Sequence, residues 1–159
     1  MQDGTSRSEL ENARERRAGG REFRVPGVGV DVVDCGRMKL ALTRSPRIRQ
    51  RLFTPDEIAY CEKYRFYERH YAARWAAKEA VCKALGCGLL QWNGVEVLRK
   101  PRHAPTVRIF GKIERFASVV GVEEGDLYIS ITHSELSAIA VCTIRKDEEN
   151  VLLPPPPGR

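Results

Sequence analysis

No stretch of this 159-residue chain is apolar for long enough to cross a membrane as a helix, so no membrane span is expected. The first residues lack the hydrophobic core of a secretory signal, which sets the expectation of a cytoplasmic protein. Cysteine is scarce and unpatterned. The five residues Cys35, Cys61, Cys82, Cys87 and Cys142 form no CxxC pair and no metal-ligand spacing. They read as reduced, mostly packed thiols, and a zinc site is not expected. There is no internal repeat, no complete GxGxxG fingerprint and no aromatic array of the kind that stacks RNA bases. Acid is missing locally as well. From Asp34 to Arg51 the bases Arg37, Lys39, Arg44, Arg47, Arg49 and Arg51 face one acid, so this segment carries most of the chain's +6 charge. Such a cluster is either an ordinary basic surface or a face for a polyanionic partner.

What is present fits one folded domain. The hydrophobic fraction of 42% and charged fraction of 30% are those of a globular protein. Residues 1–22 are polar and lack aromatics, and read as a mobile N-terminal extension. Residues 148–159, with their run of four prolines, read as a tail that does not pack. The folded body then spans 23–147. It opens with Val28, Val30 and Val32 alternating with Gly27, Gly29 and Asp31, a strand expected to pack its valine face. The glycine face leaves room for a ligand or a neighbouring backbone, with Asp31 beside it. A carboxylate that only binds backbone amides is the competing reading of Asp31.

A helix is expected near Cys35–Leu42. Thr54, Pro55 and Glu57 form a helix start with a capping box, running toward Tyr64. A third helix is expected to begin near Tyr67 to Arg69 and to run through the stretch Arg74 to Gly86, stopped by Gly86. On a wheel, Ala76, Ala77, Ala80, Val81, Ala84 and Leu85 share one side. Trp75, Lys78, Glu79, Cys82 and Lys83 share the other. Spacing alone allows the Glu79–Lys83 pair to be a surface ion pair worth about 0.3–0.5 kcal/mol. Two β runs (Val95–Leu98, Thr106–Phe110), a helix (Lys112–Val120) and two more strands complete the chain, with His133 ending an apolar row. The order β-α-α-α-β-β-α-β-β predicts an α+β domain with a largely antiparallel sheet packed on helices.

Asp31, the Glu79–Lys83 pair and His133 are far apart in sequence, yet their chemistry is complementary. Two carboxylates from separate elements suffice to hold Mg²⁺ against a phosphate, since that ion retains waters. A lysine and a histidine suit phosphate charge and proton transfer.

The segments GVGVDVVDCGRM, FTPDEIAYC, RWAAKEAVCKALGCG and ISITHSELSAIAV, in this order and spacing, resemble the holo-acyl-carrier-protein synthase family. These are the small 4′-phosphopantetheinyl transferases. The resemblance implies a single transferase-like domain that moves 4′-phosphopantetheine from coenzyme A to a serine of an apo acyl carrier protein. Adenosine 3′,5′-bisphosphate would leave. It assigns Asp31 and Glu79 to a Mg²⁺ ion shared with the coenzyme A pyrophosphate, and Lys83 to the phosphate under attack. Arg74, Gly86, Pro105 and His133 fall at positions near the coenzyme, and Glu79 is the candidate general base. Arg37 and its neighbours Arg44, Arg47 and Arg51 match a face that docks the acidic carrier. A homotrimer with active sites between subunits is also implied, and neither nucleic acid nor membrane is an expected partner. Two positions depart from the family pattern: Ala104 stands where glycine is usual, and Ser137 where an aromatic is common. Two rival functions remain open at this level, a binding module for a polyanion and a Mg²⁺-dependent phosphohydrolase.

Overall fold

The structure is a computed structural model and describes residues 26–45, 47–88, 93–99 and 103–145. The expected N-terminal extension and proline-rich tail lie outside the described residues. Its elements in chain order are β1 (Val28–Asp34), α1 (Cys35–Arg44), α2 (Ile48–Leu52), α3 (Pro55–Cys61), α4 (Tyr67–Leu85), β2 (Val95–Leu98), β3 (Thr106–Ile109), α5 (Gly111–Val119), β4 (Leu127–His133) and β5 (Ser137–Ile144). A 3₁₀ turn at Glu124–Asp126 precedes β4.

The antiparallel expectation holds, but the strands form two sheets. One has the order β1-β5-β4, and β2 pairs with β3 in the other. Every pairing is antiparallel. The capping box at Thr54 and Glu57 is present, with Pro55 in the first turn, although α3 ends at Cys61 rather than near Tyr64. The short helix α2 was not expected. Its five residues Ile-Arg-Gln-Arg-Leu hold a single apolar pair at helical spacing, too little for a periodic signal, and no side chain caps its start.

Helix α4 is the spine of the fold, packed against all three strands of the larger sheet. Its alanines Ala76, Ala77, Ala80 and Ala84 are fully buried, so the sheet lies close to the helix backbone. Glycine in β1 completes that approach. A Cβ on Gly29 would sit 2.0 Å from the Ala80 carbonyl oxygen and 2.6 Å from the Ala84 nitrogen. Gly27 N–H donates to the Ala84 carbonyl at 3.1 Å.

Two expectations are corrected by this packing. The buried face of β1 is the glycine face, not the valine face. Val28, Val30 and Val32 are 57%, 57% and 63% exposed. Alternation identified two faces, and the shorter side chains took the crowded one. The polar side of α4 is also not one solvated stripe. Lys78 and Cys82 are buried, and Lys78 Nζ lies 2.8 Å from Glu57 Oε2 with both side chains at 0% exposure. Glu57 Oε1 accepts from Val97 N–H at 3.0 Å, and Lys78 Nζ donates to the Val95 carbonyl. This charge pair binds α4 to α3 and β2 through groups that are all hydrogen-bonded, the condition under which charge is tolerated inside a protein.

Candidate functional site

The close approach of β1 to α4 sets Asp31 beside the last turns of the helix. Asp31 Oδ1 accepts from Lys83 Nζ at 2.8 Å, and the same ammonium donates to the Val30 carbonyl at 2.9 Å. Glu79 stands one turn before Lys83, half-buried. Burial pushes the Glu79 carboxyl above its ordinary value, the Asp31 charge adds to the shift, and Lys83 opposes it. Asp31, Glu79 and Lys83 therefore come together, as their resemblance-based roles require. The competing reading, an aspartate serving backbone amides, belongs instead to Asp34. That side chain caps α1 by accepting from Arg37 N–H at 2.7 Å.

Asp31 and Glu79 line an open cleft of about 480 Å³ together with Asp34, Arg37, Met38 and Trp75. Arg37 brings the basic segment to the edge of this cleft. Arg37, Arg44, Arg47 and Arg51 are all exposed along α1 and α2. Arg49 is diverted from that face, donating to Glu62 Oε1 at 3.1 Å and to the Leu42 carbonyl at 3.3 Å.

The donor set fits a hard divalent cation. Among the described residues no cluster of three or more His, Cys, Asp or Glu side chains is placed to hold a metal. Two carboxylates are nonetheless enough for an ion that keeps waters and shares a phosphate-bearing substrate. Asp31 and Glu79 line one cleft, where their like charges oppose each other and a cation between them relieves the cost.

Arg74, Pro105 and His133 gather elsewhere, in a cavity of about 390 Å³ that also holds Tyr60, Tyr64 and His70. The Arg74 guanidinium lies 3.8 Å from the centre of the Tyr60 ring. It is 5% exposed, and its Nε finds no hydrogen-bond partner among the described residues. His70 stacks on Tyr64 at 3.8 Å and meets His133 edge-on at 5.0 Å. Burial lowers His70 to about 4, and the charges of His133, Arg74 and Arg99 act in the same direction. Sequence reading missed His70, Tyr60 and Tyr64. The helical spacing of His70 and Arg74, one turn apart, was the available signal.

The two clefts are not joined in one chain. At about 100° per residue, Trp75 and Glu79 fall on the side of α4 opposite His70 and Arg74. Gly86 belongs to neither cleft. It closes α4 in the left-handed conformation, at φ 74°.

Comparison with known proteins follows the same residues. The sequence profile of the 4′-phosphopantetheinyl transferase superfamily (ACPS) matches residues 27–141. The chain is 43% identical over 118 residues to the holo-[acyl-carrier-protein] synthase of Beutenbergia cavernae, covering 74% of this chain and 97% of that one. It is 36% identical over 118 residues to the Moorella thermoacetica holo-[acyl-carrier-protein] synthase, covering 73% and 91%. The fold superposes on the ACPS-CoA complex of Chronobacterium ammoniagenes with a TM-score of 0.65 at 27% identity, covering 75% of this chain and 96% of that one.

Proposed function

Because the chain belongs to the holo-[acyl-carrier-protein] synthase family of the 4′-phosphopantetheinyl transferase superfamily, we propose that it moves 4′-phosphopantetheine from coenzyme A to a serine of an apo acyl carrier protein. The observation that carries this reading is the convergence of Asp31, Glu79 and Lys83 beside a cleft whose edge holds Arg37. One cleft thus offers carboxylates for a cation, an ammonium for phosphate charge and a basic approach for an acidic partner.

In the transfer, the carrier serine oxygen bonds to the phosphorus next to the pantetheine arm. The bond from that phosphorus to the bridging oxygen breaks, and adenosine 3′,5′-bisphosphate leaves. Glu79 is placed to accept the serine proton. Lys83 turns from Asp31 to the phosphate and offsets charge on the leaving side. Asp31 and Glu79 would hold Mg²⁺, which supplies charge neutralisation at the pyrophosphate when bound. Arg74, whose Nε has no hydrogen-bond partner among the described residues, and His133 are donors for coenzyme A phosphates, with Pro105 walling the same cavity. Gly86, which lies in neither cleft, acts on the coenzyme site only by ending α4 just after Lys83. Arg37, Arg44, Arg47 and Arg51 steer the acidic carrier toward the cleft.

The active unit is a homotrimer, with the Asp31 cleft of one subunit completed by the Arg74–His133 cavity of its neighbour. Val28, Val30, Val32 and Ile139 form an exposed apolar sheet face that supports self-association. A cytoplasmic location suits this chemistry, and among the described residues no helix is long and apolar enough to cross a membrane.

Incubation with coenzyme A, Mg²⁺ and an apo carrier protein tests the proposal. The expected result is a carrier heavier by one phosphopantetheine arm, abolished by chelator and by Asp31→Ala or Glu79→Ala. Coenzyme A cleavage without carrier labelling would indicate a hydrolase. Full activity in either variant would refute the metal assignment.

A further inference from the structure

The turn that ends α4 does more than stop the helix. Gly86 N–H donates to the Lys83 carbonyl and Cys87 N–H donates to the Cys82 carbonyl, each at 3.1 Å. This is the paired bonding of a Schellman motif, in which the side chains flanking the left-handed glycine meet across the cap. Here those side chains are two thiols. The Cys87 thiol lies 3.6 Å from the Cys82 carbonyl oxygen, and the interaction between the two thiols lowers Cys87 and raises Cys82 from their ordinary values. Cys87 also donates to the Gly88 carbonyl at 3.2 Å. Access is as asymmetric as acidity. Cys35, Cys61, Cys82 and Cys142 are buried, and Cys87 alone of the five cysteines is half-exposed.

We propose that Cys82 and Cys87 are a peroxide-responsive thiol pair that closes into a disulfide across the C-terminal cap of α4. Cys87 is the attacking sulfur. Its thiolate takes one oxygen from a peroxide, giving a sulfenic acid and, from hydrogen peroxide, hydroxide that leaves as water with the thiol proton. Cys82 then attacks the Cys87 sulfur. The S–S bond forms, the S–O bond breaks, and the hydroxyl departs as a second water with the Cys82 proton. Two thiols are oxidised and one peroxide is reduced. The capping turn already sets the two residues side by side, so the second step needs no unfolding and competes well with further oxidation of Cys87. Cys35, Cys61 and Cys142 lack this access, because each is buried.

The loop closed by such a bond contains Lys83 and Gly86. Oxidation draws the cap together where Lys83 must reach the phosphate, so the disulfide form is the less active one. This consequence rests on the proposed roles of Lys83 and Gly86, whereas formation of the bond does not. A displacement of about 1 Å at a positioned group costs up to ~100-fold in rate, so a fall of about tenfold or more is expected.

The full chain treated with hydrogen peroxide, then quenched and alkylated, provides the test. The expected product is about 2 Da lighter and protected from alkylation at Cys82 and Cys87 alone. Lys83 lies between the cysteines, so tryptic cleavage leaves the 79–83 peptide joined to the 84–99 peptide. Dithiothreitol should separate the two and restore activity. Cys87→Ser should keep its activity through the same peroxide exposure. Alkylation at both cysteines after peroxide would overturn the proposal, as would a gain of about 32 Da at Cys87, the mark of sulfinic acid. A bond joining two chains in place of this one would overturn it too. If the protein proves inactive as a transferase, the mass readout still decides whether the bond forms.

Discussion

Replacing Lys78 by methionine should destabilise the protein by about 3–5 kcal/mol, the cost of stranding a buried charge. The estimate follows from what Glu57 would keep. Its Oε2 accepts from Thr54 N–H at 2.9 Å and its Oε1 from Val97 N–H at 3.0 Å, but among the described residues the only ammonium it contacts lies 2.8 Å away on Lys78. Methionine fills similar volume and supplies neither the charge nor the donor to the Val95 carbonyl. A domain of this size has about 5–15 kcal/mol of total stability, so the loss is a large share of it. At roughly 3–4 °C per kcal/mol for this length, Tm should fall by about 10–20 °C. Urea and thermal unfolding followed by circular dichroism measure the loss. Glu57→Gln combined with Lys78→Met should lose less than the two single losses added, because no unpaired charge remains. A Lys78→Met loss below about 1 kcal/mol would refute the reasoning, since breaking a coupled buried pair costs several times that. Additive single losses would refute it as well.

Gly29→Ala drives a Cβ into helix backbone that no rotamer change can clear, so it should cost about 3 kcal/mol or more. Gly125→Ala, which meets open space, serves as the neutral control, and equal melting of the two variants would contradict the packing account. His70 is held at about 4 in the fold against an ordinary 6.5. Between those values the unfolded chain binds more protons at this position, so its contribution to stability falls as pH drops. His70→Phe should therefore lose less Tm than the parent between pH 7 and pH 5, and an unchanged difference would count against the assignment. Val30→Asp should leave a folded monomer by sedimentation and circular dichroism. Mixing Asp31→Ala with His133→Ala subunits should restore activity that neither has alone, and failure to recover any would argue against a shared site.

The parts of the fold legible in the sequence are those decided locally. Thr54, Pro55 and Glu57 lie within one helical turn, and Gly86 closes a helix by its own conformational freedom, so both signals survive in the structure. The sidedness of β1 does not have a local cause. Period-2 alternation separates Val30 from Asp31 but leaves open which row meets α4, and that depends on Ala80 and Ala84 some fifty residues later. Lys78 is misleading for the same reason. It falls on the polar side of a wheel, while Glu57, its partner, belongs to a different helix. Within the site, Glu79 and Lys83 are legible as a helical pair, and only the β1–α4 contact brings Asp31 to them. Beyond its helical spacing with Arg74, the role of His70 was not legible, because its setting is made by Tyr64 after α3, Arg74 on α4 and His133 at the end of β4.

The placement of polar groups on α4 bears directly on how many chains an active site needs. Glu79 looks into the Asp31 cleft, and His70 and Arg74 look into the other cavity from the opposite side of the helix. Rotation of α4 about its axis cannot bring them together. Lys78 is pinned to Glu57 and Val95, and the alanine side is pressed against β1 with no room for a Cβ at Gly29. On the proposed reading, a rigid helix carries half of a phosphate site on each side, a poor design for one chain acting alone. It becomes a sound one when a second chain presents the complementary half. The exposed valine row on β1 follows the same logic, for the side chains that could have buried themselves against α4 were replaced there by glycine and aspartate. On the proposed trimer, one substitution pattern in β1 would then serve two ends: small residues inward to seat Asp31 by the helix, and large apolar residues outward to recruit the neighbour that completes the site.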